Sequence, residues 1–63
     1  MAEPDRLSKL RHDLANPLSA ILAEAQLLLL EEHKLPADAV TSLRQIESLA
    51  IRMRALLKDA EPA

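Results

Sequence analysis

Glu31-Glu32-His33-Lys34-Leu35-Pro36-Ala37-Asp38 is the stretch that decides the fold, because it separates two long segments of helical pattern. A proline disfavours helical backbone at the residue before it and suits the first position of a new helix. The chain therefore leaves one helix before Leu35 and enters another at Pro36. Asp38 then falls in a first helical turn, where the helix dipole favours negative charge. Upstream, Leu7, Leu10 and Leu14 step by three and four, and Leu18, Ile21, Ala25 and Leu28 continue those steps. The strict heptad is interrupted near Pro17, where the seam drifts onto Leu18, and Leu22 and Leu29 widen the stripe. Downstream, Leu43, Ile46, Ala50, Met53 and Leu57 form the seam, with Val40, Leu49 and Leu56 beside it and Ile51 off it.

Two long helices with a very short connection fold back antiparallel. The predicted fold is all-α: a tail over 1–4, a helix over about 5–34, a turn at about 34–36, a helix over about 36–59 and a fraying tail over 60–63. The first helix would be ~45 Å long, with Asp5 and Lys9 spaced as a favourable i,i+4 pair. One hairpin leaves half of each wide apolar stripe uncovered. Two hairpins about a twofold axis would bury it, which predicts a homodimeric four-helix bundle. A lone domain this small rarely exceeds ~3–5 kcal/mol of stability without a staple, and dimerisation is the staple available.

Composition removes several functions. The 63 residues contain no Gly, no Cys and no aromatic residue. Without glycine there is no Gly-rich phosphate cradle, and without cysteine there is no disulfide or thiolate metal site. The net charge of −2 argues against general nucleic-acid binding. The start Met-Ala-Glu-Pro-Asp lacks the basic flank and apolar core of a signal peptide. Leu18 to Leu30 is too short and too polar to span a bilayer, so the expected location is the cytoplasm.

The chemistry concentrates in Arg11-His12-Asp13-Leu14-Ala15-Asn16-Pro17-Leu18. His12 and Asn16 lie one turn apart and share a face, with Lys9 one turn below. Pro17 sits inside a helix at a cost of roughly 3 kcal/mol, removing a donor to the Asp13 carbonyl. His12 falls off the leucine stripe and is expected to be exposed. Imidazole is a nucleophile with a substantial neutral fraction near neutral pH. In an antiparallel hairpin turning near residue 35, position 12 faces roughly position 58. Lys9 and Arg11 then gather near Arg54 and Lys58, with Arg6 and Arg52 close by. That basic collar reads either as solvated helix faces or as an electropositive surface for a phosphate and an acidic partner. His33 has no such company and reads as polar surface. It lies ~30 Å from His12 along one helix, too far to share a metal.

His12-Asp13-Leu14-Ala15-Asn16-Pro17-Leu18 resembles the H box of the dimerisation and histidine phosphotransfer domain of sensor histidine kinases: histidine, acid, two variable residues, Asn or Thr, proline and a hydrophobic residue. The resemblance covers nearly the whole chain, including a long first helix with the histidine near its start and a second helix of similar length. It implies that His12 is the phospho-acceptor, that Asp13 is an orienting or acid/base partner, and that Asn16 positions phosphate or water. It implies a hinge at Pro17. The basic collar set by the hairpin register supplies Lys9, Arg11, Arg54 and Lys58 as candidate phosphate or partner contacts. The implied partners are a second copy, an ATP-binding kinase domain acting in cis or in trans, and the aspartate of a response-regulator receiver domain. No cofactor is expected in this chain. ATP and Mg²⁺ would sit on the separate kinase domain, and the chain should not autophosphorylate alone, whether it is a detached module or the central domain of a larger kinase. Two other readings stay open: a non-catalytic helical dimerisation or adaptor domain, and, less favoured, a small helical regulator such as an antitoxin, which lacks a basic nucleic-acid face.

Overall fold

The computed structural model describes the backbone of residues 3–59 and the side chains of residues 5–59. Helix α1 runs Glu3–Leu29, a 3₁₀ turn follows at Glu32–Lys34, and helix α2 runs Ala37–Asp59. The two helices pack side by side as an antiparallel hairpin. Its extents are 51 × 15 × 14 Å and its radius of gyration is 15.0 Å. A globule of this length would have a radius of gyration of about 11 Å. The chain is a rod two helices wide, with little interior of its own.

The helix boundaries differ from the sequence expectation in ways the backbone explains. α1 begins at Glu3 and not Asp5, which places Pro4 in the first turn, where an N–H has no intrahelical acceptor to lose. It ends at Leu29 and not Lys34. The Leu30 N–H is shared between the Gln26 and Leu27 carbonyls at 3.2 and 3.3 Å, and the Glu31 N–H bonds Leu28 at 3.1 Å, so the last turn tightens. Glu31 then leaves helical space (φ −117°, ψ 40°), and Leu35 is extended (φ −108°, ψ 149°), as the following proline requires. Lys34 and Leu35 donate to the Glu31 and Glu32 carbonyls at 2.9 and 3.0 Å, which keeps the connection compact. Pro36 is the cap of α2 and not its first residue: its carbonyl accepts the Val40 N–H at 3.1 Å. The expected tail over 60–63 and residues 1–2 lie outside the described residues.

The seam between the helices also corrects the sequence reading. In α1 the shielded positions are Ser8, Arg11, Ala15, Leu18, Leu22, Ala25 and Leu29, an unbroken run of steps of three and four. In α2 they are Ala39, Val40, Leu43, Glu47, Ala50 and Leu57. Leu18, Leu22 and Ala50 form the core cluster, with Leu57 packed against it. Leu7, Leu10 and Leu14, expected on the seam, are exposed, as are Ile21, Leu28, Ile46, Leu49, Met53 and Leu56. These belong to a second row, displaced by one residue from the first on each helix. An antiparallel pair of right-handed helices brings both displaced rows to the same side of the hairpin. Ile21, Leu28, Leu43 and Ile46 line one groove there. The hairpin thus has one apolar flank.

The opposite flank carries residues one position after seam residues: His12, Asn16, Ser19, Ala23 and Gln26 on α1, with Arg44, Ser48, Ile51 and Lys58 on α2. Ile51, off the predicted seam, belongs to this more polar side. Polar bridges tie the flank at the turn end. Gln26 Nε2 donates to Glu47 Oε2 at 3.2 Å across the helices, and Arg44 Nη2 donates to Glu32 Oε1 of the 3₁₀ turn at 2.7 Å. The Lys34–Glu31 pair at 3.1 Å is local and solvated. No described helix is long and apolar enough to cross a membrane.

Candidate functional site

His12 lies in the third turn of α1, near the open end of the hairpin. Its position one residue after seam residue Arg11 aims it at the polar flank, and the side chain is exposed. It borders a shallow open groove lined by Arg11, His12 and Ala15 from α1 and by Arg54, Leu57 and Lys58 from α2. The register that the short turn imposes is therefore the one that sets residue 12 beside residue 58. Ala15 and Leu57 supply the apolar floor. Neither stood out in the sequence as part of the site. The available signal was the small side chain at a seam position, which leaves room beside the imidazole.

Three of the four candidate cations meet His12 in this groove. Arg11 is half-buried at the seam, and its Nη2 donates to Ser8 Oγ at 3.4 Å. Arg54 and Lys58 reach the groove from the opposite helix. Lys9 does not line it. Lys9 borders a second groove with Arg6, Leu7, Leu10 and Asp13, and its Nζ pairs with Asp13 Oδ2 at 3.4 Å. Both of these side chains are well exposed, so the pair is weak and exchanges readily with water. Asp13 thus follows His12 in sequence but turns about 100° away from it on the helix. Asn16 is exposed one turn above His12, on the same face. Pro17 is exposed and lies inside an α1 that remains continuous through it. Among the described residues, no three histidine or carboxylate side chains gather in a way that could hold a metal ion.

An accessible imidazole on one flank of a helical hairpin and an apolar row along the other are the two parts needed for a phospho-accepting domain that also self-associates. The family comparison gives the same class. Residues 5–61 match the family model described as HisKA: His Kinase A (phospho-acceptor) domain, and the chain belongs to this family. It is thus a phospho-acceptor and dimerisation domain of two-component signalling. A search of curated proteins and a search of solved structures each returned no match.

Proposed function

We propose that His12 takes the γ-phosphoryl group of ATP bound on a separate kinase domain and passes it to an aspartate of a response-regulator receiver. In the first step an imidazole nitrogen attacks the γ-phosphorus. The P–O bond to the leaving ADP breaks, and the ring releases a proton. In the second step a carboxylate oxygen of the receiver attacks phosphorus, the N–P bond breaks, and the imidazole recovers a proton. The observation that carries this reading is the exposed His12 in an open groove on the flank opposite the apolar row. A catalytic domain or receiver can approach that flank while a second copy covers the other.

Asp13 serves as the orienting or acid/base partner of the imidazole, and its weak, solvated pair with Lys9 does not hold it against turning. Asn16 positions the phosphoryl group or an attacking water from one turn above. Pro17 supplies the hinge, because the missing donor to the Asp13 carbonyl lowers the cost of bending there. ATP and Mg²⁺ belong to the kinase domain and no cofactor to this chain, with the cytoplasm as the site of action.

The test mixes the chain with ATP and purified histidine-kinase ATP-binding fragments and locates acid-labile phosphate by mass spectrometry. Label is expected on His12, and none in His12→Gln, which remains a dimer. Label on another residue, or no label on a folded dimer with any fragment, sinks the assignment. Retained partner control by His12→Gln would mark an adaptor instead.

A further inference from the structure

Two observations meet at the open end of the hairpin. The first is that the apolar seam thins toward the open end. Leu18, Leu22, Ala25 and Ala50 are buried mid-hairpin, and toward the turn the half-buried seam continues mostly apolar through Leu29, Leu35, Ala39, Val40 and Leu43, whereas before Leu18 and after Ala50 the one shielded large hydrophobe among the described residues is Leu57. Over that end the seam offers Ser8, Arg11 and Ala15 to the C-terminal turns of α2. The second is the sign of the groove that opens there. Its polar lining is an imidazole and three cations, one from α1 and two from α2, with no carboxylate among them. Like charges from the two helices thus face a common space at the end where packing holds the helices least.

We propose that a phosphoryl group on His12 is held jointly by Arg11 from α1 and by Arg54 and Lys58 from α2, so that phosphorylation ties the helices together at their thinly packed end. The proposal rests on His12 being the phospho-acceptor. A phosphoryl group brings a charge of roughly −1.5 to −2 and three acceptor oxygens. Guanidinium groups match those oxygens in pairs, and an ammonium meets them as a point charge. One anion bound there is within reach of cations from both helices. The groove is open, so the effect is screened by salt.

The experiment uses the full chain with His33→Gln, which leaves His12 as the sole imidazole. Phosphoramidate phosphorylates it without a kinase domain: the ring N–P bond forms as the reagent's P–N bond breaks, and ammonia leaves with the ring proton. The ³¹P shift is then titrated with pH, alongside Arg54→Gln/Lys58→Gln in the same background. Both substituted residues are exposed, and circular dichroism confirms that the helices persist. The cations should lower the midpoint of the ³¹P titration, to which the phosphoryl group and the remaining ring nitrogen both contribute, by roughly half a pH unit or more relative to the variant. That difference should shrink in concentrated salt. Phosphorylation should also raise the melting temperature of the parent and not of the variant. Equal midpoints, with no differential change in melting, overturn the joint subsite and leave the acceptor reading standing. A lowered midpoint in a chain that no kinase fragment labels keeps the subsite and removes the acceptor reading.

Discussion

Ile21 and Ile51 are the same residue type at similar exposure, 52% and 45%, on opposite flanks of one hairpin. Ile21 lies in the apolar row with Leu28 and Ile46; Ile51 lies on the flank that carries His12. If the apolar row is the dimer interface, replacing each by glutamate must have unequal effects. Ile21 has about 90 Å² left to bury, worth ~2 kcal/mol per protomer at ~25 cal/mol per Å². Twofold symmetry counts the loss twice, so the dimer loses ~4–5 kcal/mol before the cost of desolvating two carboxylates is added. At 1.4 kcal/mol per decade, Ile21→Glu raises the dimer dissociation constant by on the order of 10³-fold or more. Ile51→Glu should leave it within about threefold, because a solvated surface substitution changes stability by only ~0.5 kcal/mol. Sedimentation equilibrium over a concentration series reads both constants directly. An Ile21→Glu chain that dimerises as tightly as the parent would refute the assignment of the interface. So would an Ile51→Glu chain that dissociates equally, since the two flanks would then be indistinguishable.

Two further outcomes follow from the seam and from the proline. Leu22, 5% exposed, is the centre of the core cluster. Leu22→Ala should lower unfolding stability by ~2–4 kcal/mol, seen as a lower urea midpoint with an unchanged slope at fixed protein concentration. Pro17 is exposed and packs into no core, so Pro17→Ala loses little contact and restores a backbone donor to the Asp13 carbonyl. It should raise stability by ~1–3 kcal/mol in thermal melts. A lower melting temperature would show that the proline relieves a strain that a regular helix restores.

The hairpin was legible because few residues decide it: Pro36 forces Leu35 extended, and the steps of three and four on either side leave no other regular structure. The H box was legible because His12, Asp13, Asn16 and Pro17 occupy consecutive turns of one helix. The seam was misread for a specific reason. Two heptad rows run along each helix one residue apart, and hydrophobicity ranks them wrongly over the first half of α1. There Leu7, Leu10 and Leu14 face outward while Ser8, Arg11 and Ala15 face α2. Past Pro17 both rows are mostly apolar, so a reading that follows leucine slides from one to the other at Leu18. The helix end was misplaced because Leu30 to Lys34 keeps a helical composition while the 3₁₀ bonds of the turn consume its backbone. What composition could not supply was the reason for a polar seam. A stretch optimised only for stability would place leucine at residues 8, 11 and 15, and the wide apolar stripe would then run unbroken. On α1 the seam is polar only over the turns that carry His12, and there Arg11 and Ala15 border the groove that the imidazole shares with Arg54 and Lys58. Local departures from a folding rule belong where function competes with packing. On that ground the place where the hydrophobic reading fails is itself evidence for the site, obtained independently of the motif.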